Sequence, residues 1–252
     1  MKGILACRTA IYGKYQDGAF EHLSRLGVKG VEIACPPPDE AGRVMDEIAS
    51  HGLQVTSVTL SLNWKEMDIP GFVSGLEAIK QLGAKVIFTS INTGGFDRQE
   101  VYRRLRQFGD KAAEYGVVIA METHPDLVTN GDVAVETMKG IDHPNVRINF
   151  DTANVYFYNH DVDAVSELRK VIPYVASIHL KDTNGEYQAF HFGALGEGVV
   201  DFPGILKILE DNNFAGPLTM EMEGIAGEEL SREEMYKRVE DSVAYLKRIG
   251  LA

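Results

Sequence analysis

Two cysteines in 252 residues, Cys7 and Cys35, are too few for a disulfide framework or a four-cysteine zinc site. A chain so poor in cysteine is expected in a reducing cytoplasm. No run of about 18 apolar residues is present, which excludes a membrane-spanning helix. The opening residues 1–8 lack the apolar stretch of a secretory leader. Basic residues are also scarce: 25 Lys and Arg stand against 37 Asp and Glu, for a net charge of −12. An acidic surface repels phosphate backbones. No basic run longer than Arg103-Arg104 offers a local groove, so nucleic acid is not an expected partner. There is no P-loop, no Gly-x-Gly-x-x-Gly turn and no Gly-x-Ser-x-Gly elbow, so nothing points to nucleotide, nicotinamide or serine-nucleophile chemistry.

What the chain does have is a repeating alternation. Eight short apolar, β-branched runs occupy residues 3–7, 30–34, 55–60, 85–89, 117–121, 146–150, 175–180 and 218–222. Amphipathic helical patterns lie between and after them, over 16–26, 39–51, 71–82, 97–115, 132–139, 161–171, 202–212 and 231–249. Asp201 before Phe202-Pro203 has the form of an N-cap, and Ser231 with Glu234 that of a capping box. Gly27, Gly83, Gly116 and Gly250 sit where helices need a left-handed C-terminal residue. Continuous apolar strands imply burial on both faces, as in a parallel sheet. Eight units in 252 residues average about 31 residues each, the size of a minimal β-α unit. The fold expected is a single (β/α)8 TIM barrel filling one domain, 1–252. An open doubly wound sheet is the alternative, but its glycine-rich phosphate turn is missing after the first strand.

In such a barrel chemistry sits at the C-terminal ends of the strands. Strand 5 runs into Glu122, strand 6 ends at Asp151, strand 7 carries His179 and strand 8 ends at Glu221. Singly, each has a bland reading: a carboxylate can cap the next helix or pair with a lysine, and a rim histidine can be satisfied locally. Together, three carboxylates and one imidazole on four successive strands would repel strongly without a cation. The set suits one hard-to-borderline divalent ion, Mn²⁺ first, with Mg²⁺, Co²⁺ or Zn²⁺ also suited.

Other polar residues near these ends are candidate substrate contacts. His124 lies two residues after Glu122 and Lys181 two after His179, on the same side of an extended segment. Asp182 is expected to orient Lys181 or His179. Glu32 closes strand 2, either as a substrate acceptor or as a salt-bridge partner at the rim. Glu223 reads as a supporting or capping group. Trp64, the only tryptophan, closes over a sugar face or plugs a loop. Tyr156, Phe157 and Tyr158 read as packing.

At these residues the sequence resembles the xylose isomerase-like TIM barrels, the sugar phosphate isomerase/epimerase group that also contains endonuclease IV. The likeness rests on Met121-Glu122-Thr123-His124, Phe150-Asp151-Thr152, Ile178-His179-Leu180-Lys181-Asp182, Leu195-Gly196-Glu197-Gly198 and Leu218-Thr219-Met220-Glu221. It implies a metal held by Glu122, Asp151, His179 and Glu221, with Glu122 and Glu221 also acting as acid and base on opposite faces of a ketone. The implied activity is isomerisation or epimerisation of a small sugar or polyol-ketone through an enediolate. The alternative is elimination, as in the inosose and dehydroshikimate dehydratases or in keto-glycoside cleavage. The resemblance also implies homo-oligomers, though no sequence patch sets their order.

Two positions depart from the pattern. Asn154 stands where epimerases of the family often have a histidine, and Phe190-His191-Phe192 where they often have an arginine. Asn154 and His191 are therefore taken as substrate contacts in their place. Endonuclease IV needs further His and Asp ligands that Asn154, Phe190 and Phe192 replace. Lys181 is the one cation evident near strands 7 and 8, which favours an unphosphorylated substrate.

Overall fold

The structure is a computed structural model that describes residues 3–251; Met1, Lys2 and Ala252, part of the span read as one domain, lie outside the described residues. Strands β1 (Ile4–Arg8), β2 (Gly30–Ala34), β3 (Gln54–Thr59), β4 (Val86–Thr89), β5 (Val118–Glu122), β6 (Val146–Asp151) and β7 (Val175–Leu180) run in order around a closed parallel barrel. After the short strand β8 (His191–Phe192), strand β9 (Pro217–Met220) closes it between β7 and β1. The eight apolar runs are these eight barrel strands. Strand β10 (Gly224–Ile225) pairs antiparallel with β8 in a small ribbon.

Helices α1 (Ala19–Arg25), α2 (Pro38–Ser50), α3 (Ile69–Leu82), α4 (Arg98–Glu114), α5 (Gly131–Ile141), α6 (Asn154–Tyr158), α7 (Ala164–Val171), α8 (Phe202–Asp211) and α9 (Arg232–Arg248) connect or follow the strands. Their ends follow local rules. The Asp201 side chain accepts from the Gly204 amide, and Ser231 and Glu234 form a reciprocal capping box. Among the described residues, no helix is long and apolar enough to cross a membrane.

The structure departs from the sequence pattern in three places. Residues 9–18 form 3₁₀ turns kinked at Gly13, so α1 starts at Ala19 rather than near residue 16. Asp163, not Asp161, caps α7. Helix α6 and the β8–β10 ribbon are too short for periodicity to reveal.

Two β-bulges set what faces what. Between β2 and β3, Val31 faces Val55 but Glu32 faces Ser57, leaving Thr56 as the extra residue. Between β6 and β7, Ile148 faces Val175 but Asn149 faces Ser177, leaving Ala176 extra. The second bulge places Asp151 opposite His179; without it Asp151 would face Ile178. A bulge re-aims every side chain beyond it. Gly216 makes room for the Ala176 carbonyl, into which a Cβ at this position would run.

Gly216→Val is therefore expected to lower stability by about 1–3 kcal/mol. A denaturation midpoint measured beside wild type tests this; an unchanged midpoint would show that the bulge accommodates a side chain.

Candidate metal centre

Glu122 ends β5, Asp151 ends β6, His179 is the penultimate residue of β7, and Glu221 follows β9. Their ligand atoms all lie within 4.8 Å of one another, and all four residues are buried. The geometry of Asp151 is the most telling. Its Oδ1 accepts from the Ala153 and Asn154 amides, at 2.8 and 2.9 Å, and so starts helix α6. That fixes Oδ2, which is buried and has no hydrogen-bond partner; the Lys181 Nζ stands 3.5 Å from it. A buried carboxylate oxygen that accepts no hydrogen bond, among further carboxylates, has a lone pair free for a metal ion. The donor set and this free oxygen fit a divalent cation.

Two fixed cations already face the cluster. Arg8, at the end of β1, donates to Glu221 Oε1. Lys181 donates to Asn154 Oδ1 and Glu221 Oε2, both at 3.3 Å, and to Glu223, and its ammonium lies 4.3 Å from the centre of the Phe192 ring. Burial opposes charge on Lys181, but Asp151, Glu221 and Glu223 outweigh it and hold its pKa above the usual value. Arg8 and Lys181 thus stand against five carboxylates, those of Glu32, Glu122, Asp151, Glu221 and Glu223, which leaves an excess of negative charge for a divalent ion.

The two glutamates differ. Burial and Glu221 push Glu122 above the usual carboxylate range, while Ser90 donates to it. Burial would raise Glu221 too, but His179, Lys181 and Arg8 hold it well below that range. Burial opposes charge on His179, and Glu221 and Glu32 overcome it, so its pKa lies well above the usual imidazole value. Burial, reinforced by Glu221 and Glu122 and opposed by Lys181, raises Asp151 from the usual 3.8 to about 7.

The outer candidates separate. Glu32 is 1% exposed, bonded to Ser57 and His179 and 3.7 Å from Arg8 Nε, the arrangement of an ion-pair partner. Asn154 and Lys181 are likewise drawn inward. The Asn154 amide is bonded to Glu122 Oε1, the Thr123 carbonyl and Lys181, and Lys181, 1% exposed, donates to Glu221; both therefore touch carboxylates of the quartet. Asp182 does not orient Lys181 or His179. It accepts four backbone amides, those of Thr183, Gly196, Gly198 and Val200, and so pins the glycine-rich loop.

His124 is half-buried, its ring 4.8 Å from that of Tyr158. His191 sits half-buried on the ribbon. Trp64 is buried edge-on against Phe96 and lines a depression that includes Ser90.

Three residues near the site gave no functional signal in the sequence. Arg8 ends β1 and obeys the strand-end rule, but its weight comes from partners 24 and 213 residues away. Ser90 lies just past β4. Tyr158, read as packing, ends α6 with its hydroxyl pushed up to about 12 by burial and by Glu122. Above the site, Arg8, Ala10, Ile11, Gly13, Phe190, Glu221 and Glu223 line a cavity of about 320 Å³, room for a small ligand.

The family model for xylose isomerase-like TIM barrels matches residues 20–248. Inosose dehydratase of Clostridium perfringens is 25% identical over 245 residues, 82% of each chain. The structure of D-psicose 3-epimerase from Clostridium cellulolyticum H10, with D-tagatose, superposes with a TM-score of 0.79 at 15% identity, covering 99% of each chain. A probable 3-DHS dehydratase from Bacillus anthracis gives 0.76 at 17% identity, covering 97% of this chain and 98% of that one. At these identities the structural likeness carries the fold.

The raised Asp151 sets a pH dependence. The folded metal-free chain holds a proton there that the unfolded chain releases above about pH 4, so this stabilisation is present at low pH and lost as pH rises through about 7. Melting curves of metal-free wild type and Asp151→Asn should therefore diverge with rising pH, wild type losing more. In the same window metal binding should release protons and weaken as pH falls below about 7. Parallel melting curves would contradict this.

Proposed function

The chain belongs to the xylose isomerase-like TIM barrel family, and from that premise we propose that it is a divalent-metal-dependent isomerase or epimerase of a small sugar or polyol-ketone. The observation that carries this reading is the quartet of buried donors within 4.8 Å, with Asp151 Oδ2 unpartnered. Glu122, Asp151, His179 and Glu221 would hold the ion, and a divalent ion there supplies Lewis-acid polarisation of a ketone carbonyl.

The remaining chemistry belongs to the protein. Glu122, raised by burial, takes the proton from the carbon next to the carbonyl. Ser90 and Asn154 aim its two oxygens. For epimerisation Glu221, held ionised, would first have to take up a proton and then deliver it on the opposite face.

A second reading is elimination of water after the same proton abstraction. It is favoured by the asymmetry of the two glutamates. Arg8, His179 and Lys181 enclose Glu221 and hold it ionised, which suits a ligand better than a proton carrier. Elimination, like isomerisation, needs one base that passes its proton on, here Glu122 handing the abstracted proton to the departing hydroxyl so that water leaves. The dehydratase names among the relatives point the same way.

Elemental analysis of the purified protein, repeated after adding Mn²⁺, should find about one divalent ion per chain, lost in Asp151→Ala. No ion under either condition would sink the reading. With ketoses in deuterated water, wild type should place deuterium on the carbon next to the carbonyl, and Glu122→Gln should slow this by about 10²–10⁴-fold. Product mass separates the two readings: an isomer keeps the substrate's oxygen count, whereas elimination loses one water.

A further inference from the structure

We propose that Glu32 is the positioning residue of the metal centre: it holds His179 by Nε2 and so presents Nδ1 to the ion. The inference rests on the metal reading above and goes beyond it in assigning a fifth carboxylate a role and the imidazole its coordinating nitrogen.

The geometry comes from three sides. His179 Nε2 lies 3.2 Å from Glu32 Oε2, and the same oxygen accepts from Ser57 Oγ at 2.7 Å. His179 Nδ1 points the other way, 3.0 Å from Glu221 Oε2 and into the donor cluster. The Phe88 ring packs against the imidazole at 4.4 Å between centroids. With one edge bonded and one face packed, the ring cannot turn over without breaking the Glu32 bond. The β2–β3 bulge makes this possible, because it sets Glu32 opposite Ser57 instead of Thr56.

Glu32 Oε2 is taken up by His179 and Ser57. Its second oxygen, Oε1, is buried without a hydrogen-bond partner, 3.7 Å from Arg8 Nε, which is also unpartnered. A carboxylate on the far nitrogen fixes the tautomer with the proton on Nε2, frees the Nδ1 lone pair and raises its basicity.

The test uses the full chain loaded with metal. In protein carrying ¹⁵N-histidine and ¹¹³Cd²⁺, one-bond coupling is expected to the Nδ1 of His179, with the proton retained on Nε2. Mn²⁺ titration should show Glu32→Gln binding about 10- to 100-fold more weakly than wild type, with the metal-free melting temperatures of the two close together. Gln keeps the shape and a hydrogen-bond acceptor, so such a split separates positioning from a merely structural part. Coupling to Nε2, or equal Mn²⁺ affinity in Glu32→Gln and wild type, overturns the proposal. A wild-type protein that takes up neither ion overturns the metal reading itself, a result distinct from either of these.

Discussion

A strand in a closed barrel alternates its side chains between the interior and the helix layer, and a slip of one residue exchanges the two sets. At β6–β7 the extra residue Ala176 brings Asp151 opposite His179, and the absent side chain of Gly216 gives its carbonyl space. At β2–β3 the extra residue Thr56 brings Glu32 opposite Ser57. The cluster at the barrel mouth depends on these two irregularities. The first brings together two of the four residues that lie within 4.8 Å of one another, where regular pairing would have set Ile178 opposite Asp151.

The second constraint is electrostatic. Carboxylates buried together are costly unless each is paired or hydrogen-bonded. Here Glu221 is hydrogen-bonded to Arg8, His179 and Lys181, while Glu122 is hydrogen-bonded to a serine and an amide and, among the described residues, to no cation. The two acids therefore separate, one held low and the other raised, the division expected of a ligand and a base. Asp151 serves twice, one oxygen starting helix α6 and the other left for a cation. The same economy appears at Asp182, whose four amide bonds close the glycine-rich loop beside the site. Gly198 has to be glycine there, because a Cβ would strike the Thr183 carbonyl and the Asp182 carboxylate.

On the proposed reading the chain removes a proton next to a carbonyl, and the proteins it resembles carry both epimerase and dehydratase names. What separates the two outcomes is the supply of a second proton carrier. The enclosure of Glu221 and the substitution of Asn154 at a position with its amide fully committed both bear on that supply.

The sequence by itself determined the barrel, its strand count and the four residues of the quartet. Continuous apolar runs, helix caps and polar residues closing successive strands are local signals, and parallel β-α order turns each strand end toward the same mouth. Only the tertiary structure decided which of the outer residues reach that mouth. Glu32 and Lys181 were candidates because they lie near strand ends and Asn154 through the family resemblance, and folding supplies the partners that the sequence could not show, His179, Glu221 and Glu122. Arg8 and Tyr158 show the converse, since their importance lies in neighbours that the chain brings close only on folding. Parallel β-α order fixes which end of the barrel a strand-terminal side chain belongs to. Register, set by one extra residue in a strand, fixes what it touches.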